Sequence, residues 1–144
     1  MTETKFKLRK DFKKFYPVTT RWMDNDFFGH VNNVIYYSFF DTAVNRYLIE
    51  SGCFKLSSNS IAFYVVKSSC NFFSSVSYPD EIEVGLVVKK IGNSSVTYGL
   101  GVFKKGDNTA AANGEFVHVF INRKENKSAP IPDNIRTSLE KLVF

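Results

Sequence analysis

Apolar positions recur with two different periods along this chain, and the change of period predicts one helix followed by a sheet. Between residues 33 and 51 the apolar residues recur at helical spacing, and Gly52 supplies the C′ glycine that commonly ends a helix. The residues that share the apolar face are Tyr36, Phe40, Ala43 and Tyr47, flanked by Tyr37, Val44 and Leu48. Because this face is wide, we expect the helix to be deeply packed.

Beyond residue 60 the apolar period becomes two, which is typical of strands with one buried face. Strands are predicted over residues 61–73, 81–91, 95–104 and 109–122. Turn-forming residues separate them, including Pro79-Asp80 and the segment 105–108. A first strand is predicted over 15–22, where Pro17 favours a position near a sheet edge, and a last helix over 133–142.

The order of these elements predicts the fold class. One strand, one long helix and then a meander of four strands contain no repeated strand–helix alternation, which disfavours a doubly wound parallel sheet. The pattern instead predicts an α+β domain in which a curved antiparallel sheet wraps around one long central helix. The length of 144 residues suits one domain, and we expect it to span residues 1–144.

Charge and composition limit the classes of partner and the location that we expect for this chain. Nineteen Lys and Arg against 14 Asp and Glu give a net charge of +5, which suits an anionic partner. No basic run exceeds two residues, so we expect no nucleic-acid partner. No apolar run is long enough for a membrane span, and the charged start does not resemble a signal peptide. With only Cys53 and Cys70, a reducing, cytoplasmic location is predicted.

The sequence supports neither a metal site nor a catalytic serine or cysteine. His30 and His118 are the only histidines, and neither has metal-ligand spacing to a cysteine or to the other, so no metal and no separate cofactor is expected. No G-x-S-x-G motif is present, and neither cysteine has a nearby base.

The densest polar chemistry lies in the loop 24–33, directly before the long helix. Asp26 stands about seven residues before the regular helix, which is too far for a simple N-cap. The alternative is a catalytic carboxylate beside a substrate carbonyl whose oxygen is polarised by a helix-terminal N–H. Asp24 fits a structural role through Arg21 or backbone amides, and at least one of Asn32 and Asn33 fits a capping role.

The string DNDFFGHVNN at 24–33, followed by VIYYSFFD, resembles the hotdog-fold thioesterases of the 4-hydroxybenzoyl-CoA thioesterase family. Those proteins carry a similar D-x-D-x-x-G-H-V-N-N before their central helix. The segments 68–86, 92–103 and 115–132 resemble later strands of the same family, so the likeness covers a core of about residues 15–135.

This resemblance implies roles for particular residues. Asp26 matches the catalytic carboxylate, acting either as nucleophile or as general base, and the backbone N–H of Asn33 would polarise the thioester carbonyl. Gly29 would let the chain pass close to substrate, and His30 either orients the loop or forms a structural hydrogen bond. The implied reaction is hydrolysis of an acyl-CoA to a free acid and coenzyme A.

The resemblance also implies partners. A homodimer or homotetramer is expected, with active sites at the subunit interface. Lys89, Lys90 and Arg123 are candidate contacts for the coenzyme A phosphates. Two alternatives remain open at this point: hydrolysis of acyl-carrier-protein thioesters, and a non-catalytic hotdog protein that binds acyl groups.

Overall fold

The computed structural model describes residues 6–52 and 60–144. Its helices and strands are β1 (Lys14–Thr19), α1 (Ile35–Glu50), β2 (Ile61–Phe72), β3 (Glu81–Ile91), β4 (Ser95–Lys104), β5 (Ala112–Asn122), β6 (Lys127–Ser128) and α2 (Asp133–Glu140). Two short 3-10 helices, Arg9–Asp11 and Trp22–Asp24, flank β1. Cys53 lies outside the described residues.

The strands form one antiparallel sheet in the order β1-β3-β4-β5-β2, with the two-residue β6 beside β5. This sheet curves around α1, so the predicted α+β hotdog architecture is confirmed. β1 is an edge strand, as Pro17 indicated, because the missing N–H of a proline is tolerated there.

The predicted meander of four strands is wrong for its first member. β2 pairs with β5, from Ile61 opposite Asn122 to Phe72 opposite Ala112, and not with β3. The connection from β2 to β3 is too long for a tight hairpin, and the N–H groups of Phe73 and Ser74 both donate to the carbonyl of Ala111. The chain therefore leaves β2 at one edge of the sheet and crosses to the other side of the β4–β5 pair. Apolar periodicity reports which face of a strand is buried, but not which strand lies beside it.

Helix α1 packs its wide apolar face against the concave side of the sheet, within one core cluster. Its buried residues are Tyr36, Phe39, Phe40, Ala43, Val44, Tyr47 and Leu48. The predicted face is thus confirmed, with Phe39 added and Tyr37 only half-buried. Gly52 follows the last helical turn with φ +70°, as expected of a C′ glycine.

Gly114 of β5 allows helix and sheet to approach closely beside the end of β2. A Cβ at this position would lie 2.6 Å from the Phe40 ring and would also clash with the carbonyl of Ser69. Only glycine therefore leaves room for the ring of Phe40, which is fully buried.

The convex side of the sheet carries a second, smaller apolar cluster, formed by Phe12, Val87, Phe103 and Ala110 with Phe6 and Phe15 packed against it. The segment 6–12 supplies part of this cluster and runs along residues 108–110, directly before β5. Its backbone is bonded there by Ala110 N–H to the carbonyl of Lys7 and by Arg9 N–H to the carbonyl of Asn108.

Four boundaries differ from the sequence prediction by two or more residues, and the first is the start of α1, at Ile35 rather than at 33. β1 ends at Thr19 rather than at residue 22, because Arg21 and Asp24 fold the chain into a 3-10 turn. β5 begins at Ala112 rather than at 109, and α2 ends at Glu140 rather than at 142. No helix in the described part of the chain is long and apolar enough to cross a membrane.

Candidate active site

An ion pair between the exposed Arg21 side chain and the buried Asp24 carboxylate fixes the start of the loop that precedes α1. Asp24 is 1% exposed, and its carboxylate accepts hydrogen bonds from the Arg21 N–H at 2.8 Å and from the Arg21 guanidinium at 3.0 and 2.8 Å. Its carbonyl accepts the N–H of Asn32 at 2.8 Å. Asp24 therefore has the structural role that the sequence suggested, and it ties both ends of the loop together.

The next turn presents the carboxylate of Asp26. Its Oδ1 accepts the Phe28 N–H at 2.8 Å, while the Asp26 N–H donates to the His30 carbonyl at 2.8 Å. The Gly29 N–H donates back to the Asp26 carbonyl at 3.0 Å, and Gly29 adopts φ +83° to close this turn. Among the described residues no hydrogen bond reaches Oδ2 of Asp26. One oxygen is thus used to hold the side chain, and the other remains for chemistry.

The start of α1 supplies a backbone donor. Asn32 Oδ1 accepts the Val34 N–H at 3.1 Å, and the Asn32 carbonyl accepts the Ile35 N–H at 2.9 Å. Asn32 therefore caps the turn that leads into α1, whose own N-cap position is Val34, and this is the kind of role expected of at least one of Asn32 and Asn33. The N–H of Asn33 finds no backbone acceptor within the described residues. Free N–H groups at a helix start favour negative charge.

A cleft of about 340 Å³ opens between this loop, the first turn of α1 and the segment that follows β2. Asp26, His30 and Asn33 all line it, so the structure brings three of the predicted site residues together. Gly29 shapes the loop but does not line the cleft. The remaining lining residues are Val31, Tyr36, Phe72, Phe73, Ser74 and Ser75.

Tyr36 forms an apolar wall of the cleft. It is buried, its ring meets Phe72 edge to face at 5.0 Å between centroids, and its hydroxyl bonds to the backbone of Val76. Burial raises the pKa of the Tyr36 hydroxyl, so this residue is a neutral phenol at physiological pH.

Two other reactive side chains lie outside the cleft. Cys70 is half-buried in β2, and burial raises the pKa of its thiol to about 12, which leaves little of the nucleophilic thiolate at neutral pH. His118 is buried between Phe63 and Tyr98, and burial lowers its pKa to about 4. The described ranges contain no group of three or more His, Cys, Asp or Glu side chains arranged to hold a metal ion.

The three basic residues proposed from the sequence do not line the cleft. Lys89 forms an ion pair with Glu115 at 2.9 Å, reaching across Gly99 of β4. Lys90 is exposed near the end of β3. Arg123 follows β5 at the end opposite Ala112, and the strand between them spans about 35 Å. Within one protomer Arg123 is therefore remote from Asp26.

Nothing in the sequence indicated that the cleft would be lined by Phe73, Ser74 and Ser75. These residues reach the cleft because β2 ends beside β5, and because the Val31 N–H donates to the carbonyl of Val76 at 2.7 Å. This contact depends on strand order, which the hydrophobic period did not predict.

The arrangement suits attack on a carbonyl group. An N–H donor in such a position can stabilise negative charge that develops on a carbonyl oxygen. A carboxylate on the same cleft can attack a carbonyl carbon or activate a water molecule.

Comparison with known proteins places the whole fold in one family. Residues 18–139 match the sequence model of the thioesterase-like superfamily. The crystal structure of PA5185 from Pseudomonas aeruginosa shares 48% identity at a TM-score of 0.92, covering 95% of this chain and 96% of that one.

Two further proteins are more distant. YsmA of Bacillus subtilis is 26% identical over 133 residues, covering 91% of this chain and 88% of YsmA. Slr0204 of Synechocystis, a 1,4-dihydroxy-2-naphthoyl-CoA thioesterase, shares 21% identity and the same fold at a TM-score of 0.82, covering 89% of this chain and 96% of its own.

Proposed function

Because the chain belongs to the thioesterase-like superfamily, we propose that it hydrolyses an acyl-CoA thioester to a free carboxylic acid and coenzyme A. The observation that carries the proposal is one cleft lined by both Asp26 and Asn33. A carboxylate and a backbone N–H that lacks a backbone partner are two groups that can together carry out thioester hydrolysis. The thioesterase activity of a protein with this fold, Slr0204, supports the same reaction type.

Two chemical routes fit this geometry. In the first, an oxygen of Asp26 attacks the thioester carbon, the carbon–sulfur bond breaks, and the thiolate leaves as coenzyme A after taking up a proton. Water then hydrolyses the mixed anhydride to the free acid and regenerates the carboxylate. In the second, Asp26 takes a proton from water as the water attacks, and the thiolate leaves in the same way. In both, the Asn33 N–H stabilises the oxyanion.

The test is release of free thiol from a panel of short, long and aromatic acyl-CoAs, together with acyl-carrier-protein thioesters. Wild type should hydrolyse at least one acyl-CoA, and Asp26→Asn should lower kcat at least a hundredfold. The amide oxygen that this substitution introduces can still accept the Phe28 N–H, so the loop is preserved.

Asp41→Asn, on the exposed side of α1, is the matched control and should retain wild-type turnover. Absence of turnover on every acyl-CoA would refute the proposed activity. Turnover confined to carrier-protein thioesters would select that alternative, and binding without turnover would select a non-catalytic acyl-binding protein. Full activity of Asp26→Asn would refute the site but not the activity.

We also propose that the protein acts as a homo-oligomer that pairs through β2. β2 is an edge strand of the sheet, and its middle exposes three apolar side chains, Tyr64, Val65 and Val66. An exposed apolar edge strand is a ready template for pairing with a second copy. Because β2 ends at Phe72 in the cleft wall, such pairing would place the active site beside the subunit interface. Pairing through this edge strand is compatible with either a dimer or a tetramer.

A further inference from the structure

Lys7 borders the candidate cleft, although nothing in the sequence assigned it a role. Its Nζ lies 4.2 Å from the centroid of the Phe73 ring, and Phe73 lines the cleft beside Ser74 and Ser75. Lys7 does not itself line the cleft, so its ammonium group lies outside it, on the Phe73 side. The ring of Phe73 is 38% exposed and forms part of the rim.

The backbone on both sides of Lys7 is fixed. The Lys7 carbonyl accepts the Ala110 N–H at 2.8 Å, and the Phe6 carbonyl accepts the side-chain amide of Asn113 at 3.1 Å. On the other side, the Arg9 N–H donates to the carbonyl of Asn108 at 2.9 Å. Because the base of the side chain is held, less conformational freedom is lost when its ammonium group binds a ligand.

The charge of Lys7 has no carboxylate partner within residues 6–52 and 60–144. Five other basic side chains are paired in that part of the chain, in the ion pairs Arg9–Glu83, Arg21–Asp24, Arg46–Glu50, Lys89–Glu115 and Lys105–Glu81. The contact that the structure gives the Lys7 ammonium is the face of Phe73. A ring face stabilises a partly exposed cation only weakly, so the N–H donors of Lys7 remain available to an anion.

The position of Lys7 relative to Asp26 indicates which part of a substrate it meets. On the proposed function, the thioester carbonyl lies inside the cleft, near Asp26 and Asn33. A cation outside the cleft then contacts a part of the substrate that is removed from the thioester. In coenzyme A the anionic phosphates stand at the far end of the pantetheine arm from the sulfur atom. Asp26, in contrast, repels phosphate from the catalytic part of the cleft.

Building on the proposed acyl-CoA hydrolysis, we infer that Lys7 binds a phosphate group of the coenzyme A moiety at the rim of the cleft. The Phe73 ring holds the ammonium group in place, and the phosphate oxygens accept its N–H donors. Lys7 thus orients the substrate, with the nucleotide at the rim and the acyl group inside.

The test compares one acyl group carried by coenzyme A with the same group carried by pantetheine, which has no phosphate. For acyl-CoA, Lys7→Gln should raise KM about tenfold with little change in kcat, because one charge-assisted contact is lost. For acyl-pantetheine, wild type and Lys7→Gln should have the same KM, and Lys7→Arg should stay close to wild type on both substrates. Lys10→Gln, an exposed lysine of the same segment, is the matched control for the change of charge.

Several results would overturn the inference. An equal rise in KM for both substrates would show that Lys7 acts by packing on Phe73 rather than by charge. An unchanged KM for acyl-CoA would remove the phosphate contact. A loss confined to acyl groups that carry their own carboxylate would place the cation at the acyl end of the substrate.

Calorimetric titration with free coenzyme A separates this inference from the proposed activity. If wild type hydrolyses no thioester, the proposed function fails, yet Lys7→Gln should still weaken the binding of coenzyme A about tenfold. If coenzyme A does not bind, or binds wild type and Lys7→Gln equally, the role of Lys7 is refuted. Dephospho-coenzyme A then identifies the contacted phosphate, since it lacks only the one on the ribose.

Discussion

Asn32 Oδ1 lies 3.1 Å from the backbone nitrogen of Val34 and accepts its N–H. The side chain of Asn32 thus satisfies the donor directly after Asn33, while the Asn33 N–H itself finds no backbone acceptor in the described residues. The turn before α1 therefore leaves one donor without a backbone partner, at a residue that lines the cleft. Asn32 does not line the cleft itself, so we propose that it acts by positioning that donor.

Replacing Asn32 should lower kcat when the new side chain lacks an oxygen that can accept the Val34 N–H. Asn32→Ala should lower kcat about tenfold with little change in KM, and should cost about 1 kcal/mol of unfolding free energy. Asn32→Asp keeps an acceptor oxygen and should remain close to wild type. Steady-state kinetics and urea unfolding of both variants provide the measurement. Equal loss of kcat in Asn32→Ala and Asn32→Asp would contradict this role.

Gly29 and Gly106 offer a matched pair of turns, one inside the site and one far from it in sequence. Both adopt positive φ, +83° and +89°, and both have open space where a Cβ would stand. Either residue changed to alanine should lose about 1 kcal/mol of stability through backbone strain. Only Gly29→Ala should also lower kcat, because strain at φ +83° would distort the turn that carries Asp26 and that the Gly29 N–H closes. A similar kcat for the two variants would show that the geometry of this turn does not matter to turnover.

How much of this site the sequence predicts depends on whether its residues are neighbours along the chain. Asp26, His30 and Asn33 occur within one loop, so the motif before α1 is enough to select them as candidates, and the periodicity predicts each end of α1 to within two residues. Phe73 and Lys7 are far from that loop in sequence. They meet because β2 lies beside β5 and because the segment 6–12 packs along residues 108–110, directly before β5.

The same reasoning explains why the sequence did not indicate the partner of Lys89. From the sequence it is a lysine near a strand end. In the structure it reaches over Gly99, whose missing side chain leaves room, and pairs with Glu115 on β5. This contact joins two strands that are not neighbours, and no local pattern reports it.

The Arg21–Asp24 ion pair should contribute to stability rather than to chemistry. Asp24→Ala leaves the Arg21 N–H without its acceptor and should lower the free energy of unfolding by about 2 kcal/mol. Asp41→Ala removes an exposed carboxylate from α1 and should change it by less than about 0.5 kcal/mol. Urea unfolding at one protein concentration measures both variants. A loss of stability no greater for Asp24→Ala than for Asp41→Ala would contradict the structural role.

Placing a charge on the exposed edge of β2 should dissociate the proposed oligomer. Val66 is 58% exposed in β2, so Val66→Lys adds a charge to that surface without disturbing the core. Sedimentation equilibrium should show an oligomer for wild type and a monomer for Val66→Lys. Ile49→Lys, at a similarly exposed position on α1, should leave the assembly intact. A wild-type monomer, or an unchanged Val66→Lys oligomer, would refute assembly through β2.

Burial of His118 should make stability depend on pH over a defined window. Its pKa is lowered by burial from 6.5 to about 4, so between these values the unfolded chain binds a proton that the folded protein does not. Stability attributable to His118 is therefore complete above pH 6.5 and is lost as the pH falls towards 4. The loss is about 1.4 kcal/mol per pH unit in that window.

Urea unfolding of wild type at pH 7 and pH 5, at one protein concentration, measures this dependence. His118→Leu keeps an apolar side chain in the space between Phe63 and Tyr98 and should remove most of the difference between the two pH values. His30→Gln changes an exposed histidine and should leave the difference as in wild type. If His118→Leu keeps the full pH dependence, another group is its source, and the neutral state assigned to His118 is wrong.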